Sequence, residues 1–315
     1  MTSRAPGHLA ESREGSWRDL PLGHLPLGPR DLDLAATLDC GQAFRWRLAP
    51  DGWWQGVIAD RAVRIRRAGD ACEYQVYPAR GAEDLLSRYL RLDVDLPALV
   101  ADLSERCPKI RPALLAHPGI RILAQPPEEA LLSFLCSPAN SVPRISRSIE
   151  QLCSRFGKPI ATLDGVKARE FPTAATLASL PDAEYRAAGL GWRGLGIRAV
   201  AERLLLYPPD WLSGLRALPY PEAKSTLVDF PYVGPKIADC ACLFGLLKDE
   251  AVPVDTHVWA LARDLFSDQP AWAEITKSLT AKTYDRVVAL YQARYGPYAG
   301  WAQQYLYHWR RSGRT

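Results

Sequence analysis

Between residues 43 and 78 apolar and polar side chains alternate, and from about residue 80 they recur at helical spacing. The alternating part divides into AFRWRL, GWWQGVIA, RAVRIRR and EYQVY, with turn residues at Pro50-Asp51-Gly52 and Gly69-Asp70. These segments predict short strands. In RAVRIRR, Val63 and Ile65 point one way and Arg64 and Arg66 the other. That pattern predicts an antiparallel sheet with one face on a core and the other wet. The later segments EDLLSRYLRL, LPALVADLSERC, EEALLSFLC, RISRSIEQLCSRF, IRAVAERLLL, KIADCACLFGLL, HVWALARDLF, YDRVVALYQARY and WAQQYLYHW predict helices. Several begin near proline, serine or aspartate, as helix starts do.

The expected fold class is therefore α+β: an N-terminal antiparallel β-sheet domain followed by helical domains. Residues 1–20 are polar and small and are expected to be a loose tail. The sheet domain with its helices is expected over 21–125 and the helical region over 126–315, with a helical hairpin near 222–248.

Composition changes this picture little. Of 315 residues, 48% are hydrophobic and 23% charged, as in ordinary globular proteins, and the net charge of +4 permits a nucleic-acid partner without requiring one. No apolar run is long enough to span a membrane and the N-terminus does not read as a signal peptide. The seven cysteines form no CxxC pair, so they read as reduced thiols of an intracellular protein, with no zinc site and no four-cysteine iron–sulfur cluster.

The candidate chemistry begins at FPYVGPKIADC, residues 230–240. A helix ends near Phe230, the chain turns, and Pro235 opens the next helix at its favoured first position. A helix–hairpin–helix turn of this kind exposes backbone N–H groups suited to one DNA phosphate. Lys236 follows at once, where the helix dipole disfavours positive charge. It is either a solvated lysine or an amine that loses its proton readily and acts as a nucleophile. The helix over 235–248 runs ~20 Å, and the extended stretch 249–254 reaches back ~20 Å. That return can bring Asp255, the N-cap of the next helix, near Lys236.

FPYVGPKIADC followed by VPVDTHVW resembles the signature of the helix–hairpin–helix DNA glycosylases, and within them the 8-oxoguanine DNA glycosylase/AP lyase family. LDCGQAFRWR, VIADRAVRI, GIRILAQPPEEALLSFLCS, IEQLCSRFG, GLGWR and GWAQQYLY extend the resemblance over roughly residues 30 to 310. The resemblance implies a bifunctional enzyme with its active site between the domains. Lys236 would attack the sugar C1′ and form a Schiff base that permits β-elimination, and Asp255 would be its acidic partner. Gly41 would accept the N7 hydrogen of 8-oxoguanine on its carbonyl, Gln303 would read the Watson–Crick edge, and Cys240 and Tyr307 would hold the two faces of the base. Trp192 and Arg193 would wedge the duplex and contact the orphaned cytosine, with Asn140 and Arg144 in the loop that fills the gap. His257 and the hairpin residues Val233 and Gly234 would hold phosphates. Duplex DNA containing oxidised guanine is the implied partner, the protein acting as a monomer away from membranes. No cofactor is implied for the chemistry, although a structural monovalent or divalent cation at the hairpin is compatible with it. The compartment would be the cytoplasm or nucleoid of a bacterium, or a eukaryotic nucleus.

Two positions depart from the family pattern. Ala139 stands where the first loop asparagine helps read cytosine, which predicts a relaxed opposite-base preference. Tyr232 stands where glycine lets the backbone approach phosphate. Two other readings compete: a helix–hairpin–helix glycosylase for an alkylated or differently oxidised base, and a non-catalytic DNA-binding module. Lys236 argues against the purely monofunctional glycosylases, and a module would need neither Lys236 nor a base pocket.

Overall fold

The computed structural model describes residues 13–267, 269–273, 275 and 280–313. Its strands are β1 (Arg13–Gly15), β2 (Gly23–Leu25), β3 (Arg47–Leu48), β4 (Trp54–Ile58), β5 (Arg61–Ala68), β6 (Ala71–Tyr77), β7 (Pro159–Leu163) and β8 (Val166–Arg169). The helices of the first half are α1 (Leu34–Leu38), α2 (Ala82–Tyr89), α3 (Leu96–Arg106), α4 (Arg111–Ala116), α5 (Pro127–Phe134) and α6 (Val142–Phe156). Next come α7 (Ala174–Ser179), α8 (Asp182–Ala187), α9 (Arg193–Leu204), α10 (Trp211–Gly214), α11 (Tyr220–Val228) and α12 (Pro235–Phe244). The chain closes with α13 (Thr256–Phe266), α14 (Pro270–Ala273), α15 (Ala281–Tyr295) and α16 (Ala299–Arg311).

The five-stranded antiparallel sheet runs in the order β2-β6-β5-β4-β3. Val63, Ile65 and Val76 face a core completed by Leu34, Leu38, Leu86 and Leu90. The predicted strand AFRWRL is mostly not strand. Only Arg47–Leu48 pairs with β4, because Phe44 leaves to meet Phe134 edge-on at 5.2 Å and Trp46 donates to the Tyr89 hydroxyl at 2.9 Å.

The other face of the sheet is less wet than the arginine alternation predicts. A second sheet, β1-β7-β8, lies against it, and Ala62 joins Trp17, Ala161 and Leu163 in a small core. Arg64 is drawn in beside it, hydrogen-bonded to Gln75 and lying over Trp53 and Trp17. The loose tail expected over 1–20 thus ends early. Residues 1–12 lie outside the described residues, but β1 pairs in parallel with β7 from Arg13, and Trp17 is buried. One large apolar residue, with Ser16 capping the short turn after it, is enough to anchor the segment.

The largest core is helical. Packing does not respect the expected division at 125/126: Leu99, Leu103, Ile110 and Leu114, from α3 to α4, share this core with Leu131, Leu243 and Tyr305. The bidentate Arg91–Asp249 pair (2.6 and 3.0 Å) and the hydrogen bond from Gln125 N to Phe244 O tie the early part of the chain to the segments around α12.

Candidate active site

α11 and α12 form the predicted helical hairpin. Gly234 is the N-cap of α12, Pro235 its first residue and Lys236 its second. The Lys236 amine donates to Ser137 Oγ at 2.9 Å and lies 5.1 Å from the centre of the Phe134 ring. Ser137 can accept because its own hydroxyl proton goes to Phe134 O at 2.7 Å. After α12 the chain returns through residues 249–254, and Asp255 caps α13. Asp255 Oδ1 accepts from the N–H groups of His257 (2.9 Å) and Val258 (2.8 Å), which leaves its second oxygen without a hydrogen bond among the described residues.

Lys236 and Asp255, nineteen positions apart, border one cavity of about 810 Å³. Gly41, Asn140, Gly234, His257 and Tyr307 border it too. Gly41 has φ +86°, a backbone that favours glycine, and a Cβ there would sit 3.1 Å from Val142 Cγ2 and 3.2 Å from the end of the Arg311 side chain, which would have to give by a few tenths of an ångström. Tyr307 meets the His257 ring edge-on at 5.9 Å. Burial pushes the Tyr307 phenol up to about 12, so it stays neutral. Cys240, expected against one face of the base, does not border the cavity: it is buried one helical turn after Lys236, and burial raises its thiol to about 11, against the pull of the Lys236 charge. A thiol held in that form packs as a small apolar group rather than a nucleophile.

The other predicted residues lie off this cavity. Gln303 does not border it; it is buried beside it on α16, and its Oε1 has no hydrogen-bond partner among the described residues. The Val233 side chain is core, so only its backbone belongs to the turn, where its N–H closes on Phe230 O at 3.2 Å. Arg144 is exposed on α6 and borders a separate hollow. Trp192 is 56% exposed. Arg193 does not project freely: its guanidinium donates to Pro138 O (2.7 and 2.8 Å) and Ala139 O (2.8 Å).

Ser137, Tyr284 and Arg311 are among the bordering residues missed from the sequence. Arg311 stands four residues after Tyr307, so helical spacing would have found it. Ser137 and Tyr284 carry no local signal. Among the described residues no group of three or more His, Cys, Asp or Glu side chains could hold a metal ion, and no helix is long and apolar enough to cross a membrane.

The arrangement brings an amine, a carboxylate, aromatic side chains and a glycine to the border of a space large enough to hold a nucleobase. Residues 24–131 match the family described as 8-oxoguanine DNA glycosylase, N-terminal domain. The chain is 34% identical to the N-glycosylase/DNA lyase OGG1 of Arabidopsis thaliana, over 92% of this chain and 79% of that protein. It is 32% identical to the N-glycosylase/DNA lyase of Saccharomyces cerevisiae, over 90% and 85%. Its fold matches the Clostridium acetobutylicum 8-oxoguanine glycosylase/lyase, solved with dsDNA containing cytosine opposite 8-oxoG, with TM-score 0.80 and 27% identity over 90% of this chain and 92% of that one. This chain belongs to the 8-oxoguanine DNA glycosylase/AP lyase family.

Proposed function

We propose that the cavity receives 8-oxoguanine flipped out of duplex DNA, and that the enzyme excises the base and then cleaves the strand. Extrusion is required because the reacting sugar carbon is inaccessible within a stacked duplex. The observation that carries the reading is that Lys236, Asp255, Gly41 and Tyr307 all border one cavity. The Lys236 amine, once neutral, attacks C1′; the bond from C1′ to the base breaks and the base departs with its electron pair. The free oxygen of Asp255 faces the positive charge that develops on the sugar. The adduct loses a proton from nitrogen and its C1′–O4′ bond opens to give the Schiff base, with O4′ leaving as a hydroxyl; loss of a C2′ proton then expels the 3′ phosphate by β-elimination.

The carbonyl of Gly41 selects the lesion: 8-oxoguanine carries a hydrogen on N7, whereas guanine would set a lone pair against that oxygen. An acceptor facing an acceptor in a buried site costs about 1–3 kcal/mol. The unpartnered Gln303 Oε1 would take a donor of the Watson–Crick edge after a small side-chain movement. No step uses a cofactor; a cation at the hairpin suits the hard oxygen donors of a backbone turn and lies outside the chemistry. The enzyme acts inside the cell, where its DNA substrate lies.

Borohydride reduction on a duplex containing 8-oxoguanine tests the assignment. Wild-type protein is expected to give a covalent protein–DNA adduct, and Lys236→Gln none, with its melting temperature unchanged. An adduct that persists in Lys236→Gln would remove Lys236 from the role.

A further inference from the structure

A separate cleft of about 710 Å³ shares only Phe44 with the active-site cavity. Its border comes from the chain around β3 and β4, from α6 and from β8. Five cations line it, Arg45, Arg47, Arg147, Lys167 and Arg169, against one carboxylate, Glu150. Among the described residues only Arg45 has a carboxylate partner, Glu129 at 3.5 Å. Arg169 donates to Gly157 O at 2.9 Å and Arg47 to Gln55 Oε1 at 3.2 Å, both neutral acceptors. Arg147 and Lys167 have neither a hydrogen bond nor an ion pair among the described residues. The rest of the wall is largely aromatic: Phe44 and Trp17 are buried and Trp46 half-buried, whereas Arg47, Arg147 and Lys167 are exposed. The Arg45 side chain is only 5% exposed. Two buried donors of the lining residues, Arg45 Nε and Trp17 Nε1, have no acceptor among the described residues.

We propose that this cleft is a second ligand site, for an aromatic anion of mononucleotide size. A buried donor without an acceptor is costly, so both orphans call for an acceptor from outside the chain, and the surplus of cations selects an anionic one. A purine nucleoside phosphate matches both parts of the wall. Its phosphate suits the exposed guanidinium forks and the ammonium, and its ring suits the buried aromatic side chains. The volume lies within the roughly 300–1,000 Å³ of small-molecule sites, which favour the seams between domains, as here between the sheets and α6. Neither Lys236 nor Asp255 borders the cleft, so occupancy does not depend on the excision chemistry.

Calorimetric titration of the full-length protein with AMP tests the site, with adenosine and ribose 5-phosphate as probes of its two halves. One AMP is expected to bind per chain, about tenfold or more tighter than either half. Lys167→Glu and Arg47→Glu should each weaken AMP about tenfold, because a charge-assisted hydrogen bond is lost. Both side chains are exposed, so the melting temperatures should not change. AMP should still bind protein saturated with a duplex carrying a stable abasic analogue. Absence of saturable AMP binding overturns the proposal, and equal affinity for AMP and ribose 5-phosphate overturns the aromatic half of it. Wild-type affinity in both variants, with AMP displaced by the duplex, would place AMP in the active-site cavity. Weakened binding in both variants, with AMP displaced by the duplex, would make the cleft a path for DNA phosphates and overturn the small-molecule site.

Discussion

Tyr284→Phe removes one oxygen that ties the two halves of the active site together. The Tyr284 hydroxyl donates to Asp239 Oδ2 at 2.6 Å and accepts from Val254 N–H at 3.2 Å. Asp239 lies fully buried on α12, three residues after Lys236, and Val254 immediately precedes Asp255. Asp239 also accepts from the Tyr220 hydroxyl (2.7 Å) and the Lys224 ammonium (3.0 Å). Burial raises the Asp239 pKa, but three donors aimed at its two oxygens are what a carboxylate, not a carboxylic acid, satisfies. Losing a hydrogen bond to a charged group costs about 1.5–3 kcal/mol and stranding a buried N–H about 1–3 kcal/mol. The terms overlap, so a loss of about 3 kcal/mol is expected, or roughly 6 °C in melting temperature at about 2 °C per kcal/mol. Release of Val254 also loosens the approach to Asp255. A displacement of about 1 Å at a reacting group costs up to about 100-fold, so the single-turnover rate should fall about 10- to 100-fold while lesion-duplex binding stays within about threefold. Thermal unfolding and rapid-quench excision measure the two effects. A melting temperature within about 1 °C of wild type would refute the bridge. The full stability loss with an intact rate would refute the positioning role.

Asp255→Asn separates capping from charge: asparagine caps as well as aspartate, so stability should change by less than about 0.5 kcal/mol in denaturant titration, while excision falls about 10²- to 10³-fold. The His308 pKa is lowered to about 4, chiefly by burial and next by the neighbouring His117. Its neutral form is the folded one, so its contribution to stability is complete above the unfolded value of about 6.5 and is lost as pH falls towards 4; His308→Gln should flatten the stability profile in that window. Tyr232 occupies the left-handed region at φ +62°, and its ring base packs on Gly196. Tyr232→Gly trades relief of strain, roughly 1 kcal/mol, against that packing and against chain entropy. Stability should stay within about 1 kcal/mol and equilibrium titration should show undamaged duplex binding about threefold tighter as the turn opens to phosphate; weaker binding would instead place the ring on the DNA.

Much of this site was legible in the sequence because its signals are local. Pro235 after Gly234 marks a helix start, and a carboxylate before THVWALARDLF marks another. Chain reach then brings the two together, whatever lies between. The helices from α2 onward follow their 3.6-residue pattern for the same reason. What escaped depends on contacts between distant segments. Trp17 orders β1 only because β7, about 145 residues later, supplies its neighbour. Phe44 and Trp46 look like strand residues until Phe134 and Tyr89 draw them away. The Arg64 face looks solvent-directed until Trp17 and Trp53 cover it.

Ala139 shows why the shape of the loop and its readout can change independently. It sits at φ +49°, where a side chain costs about 1 kcal/mol or more and where asparagine is better tolerated. Without other support, losing the asparagine would disturb the loop as well as its contacts. The Arg193 fork supplies that support by holding the carbonyls of residues 138 and 139, and Asn140 fastens the next residue to Cys136 O. The loop therefore keeps its course, and the substitution removes recognition atoms without removing the scaffold. A guanidinium satisfied by three carbonyl bonds must give some of them up to contact a base. Arg193 is therefore held to the loop, and its replacement should damage the loop before it changes any contact with DNA.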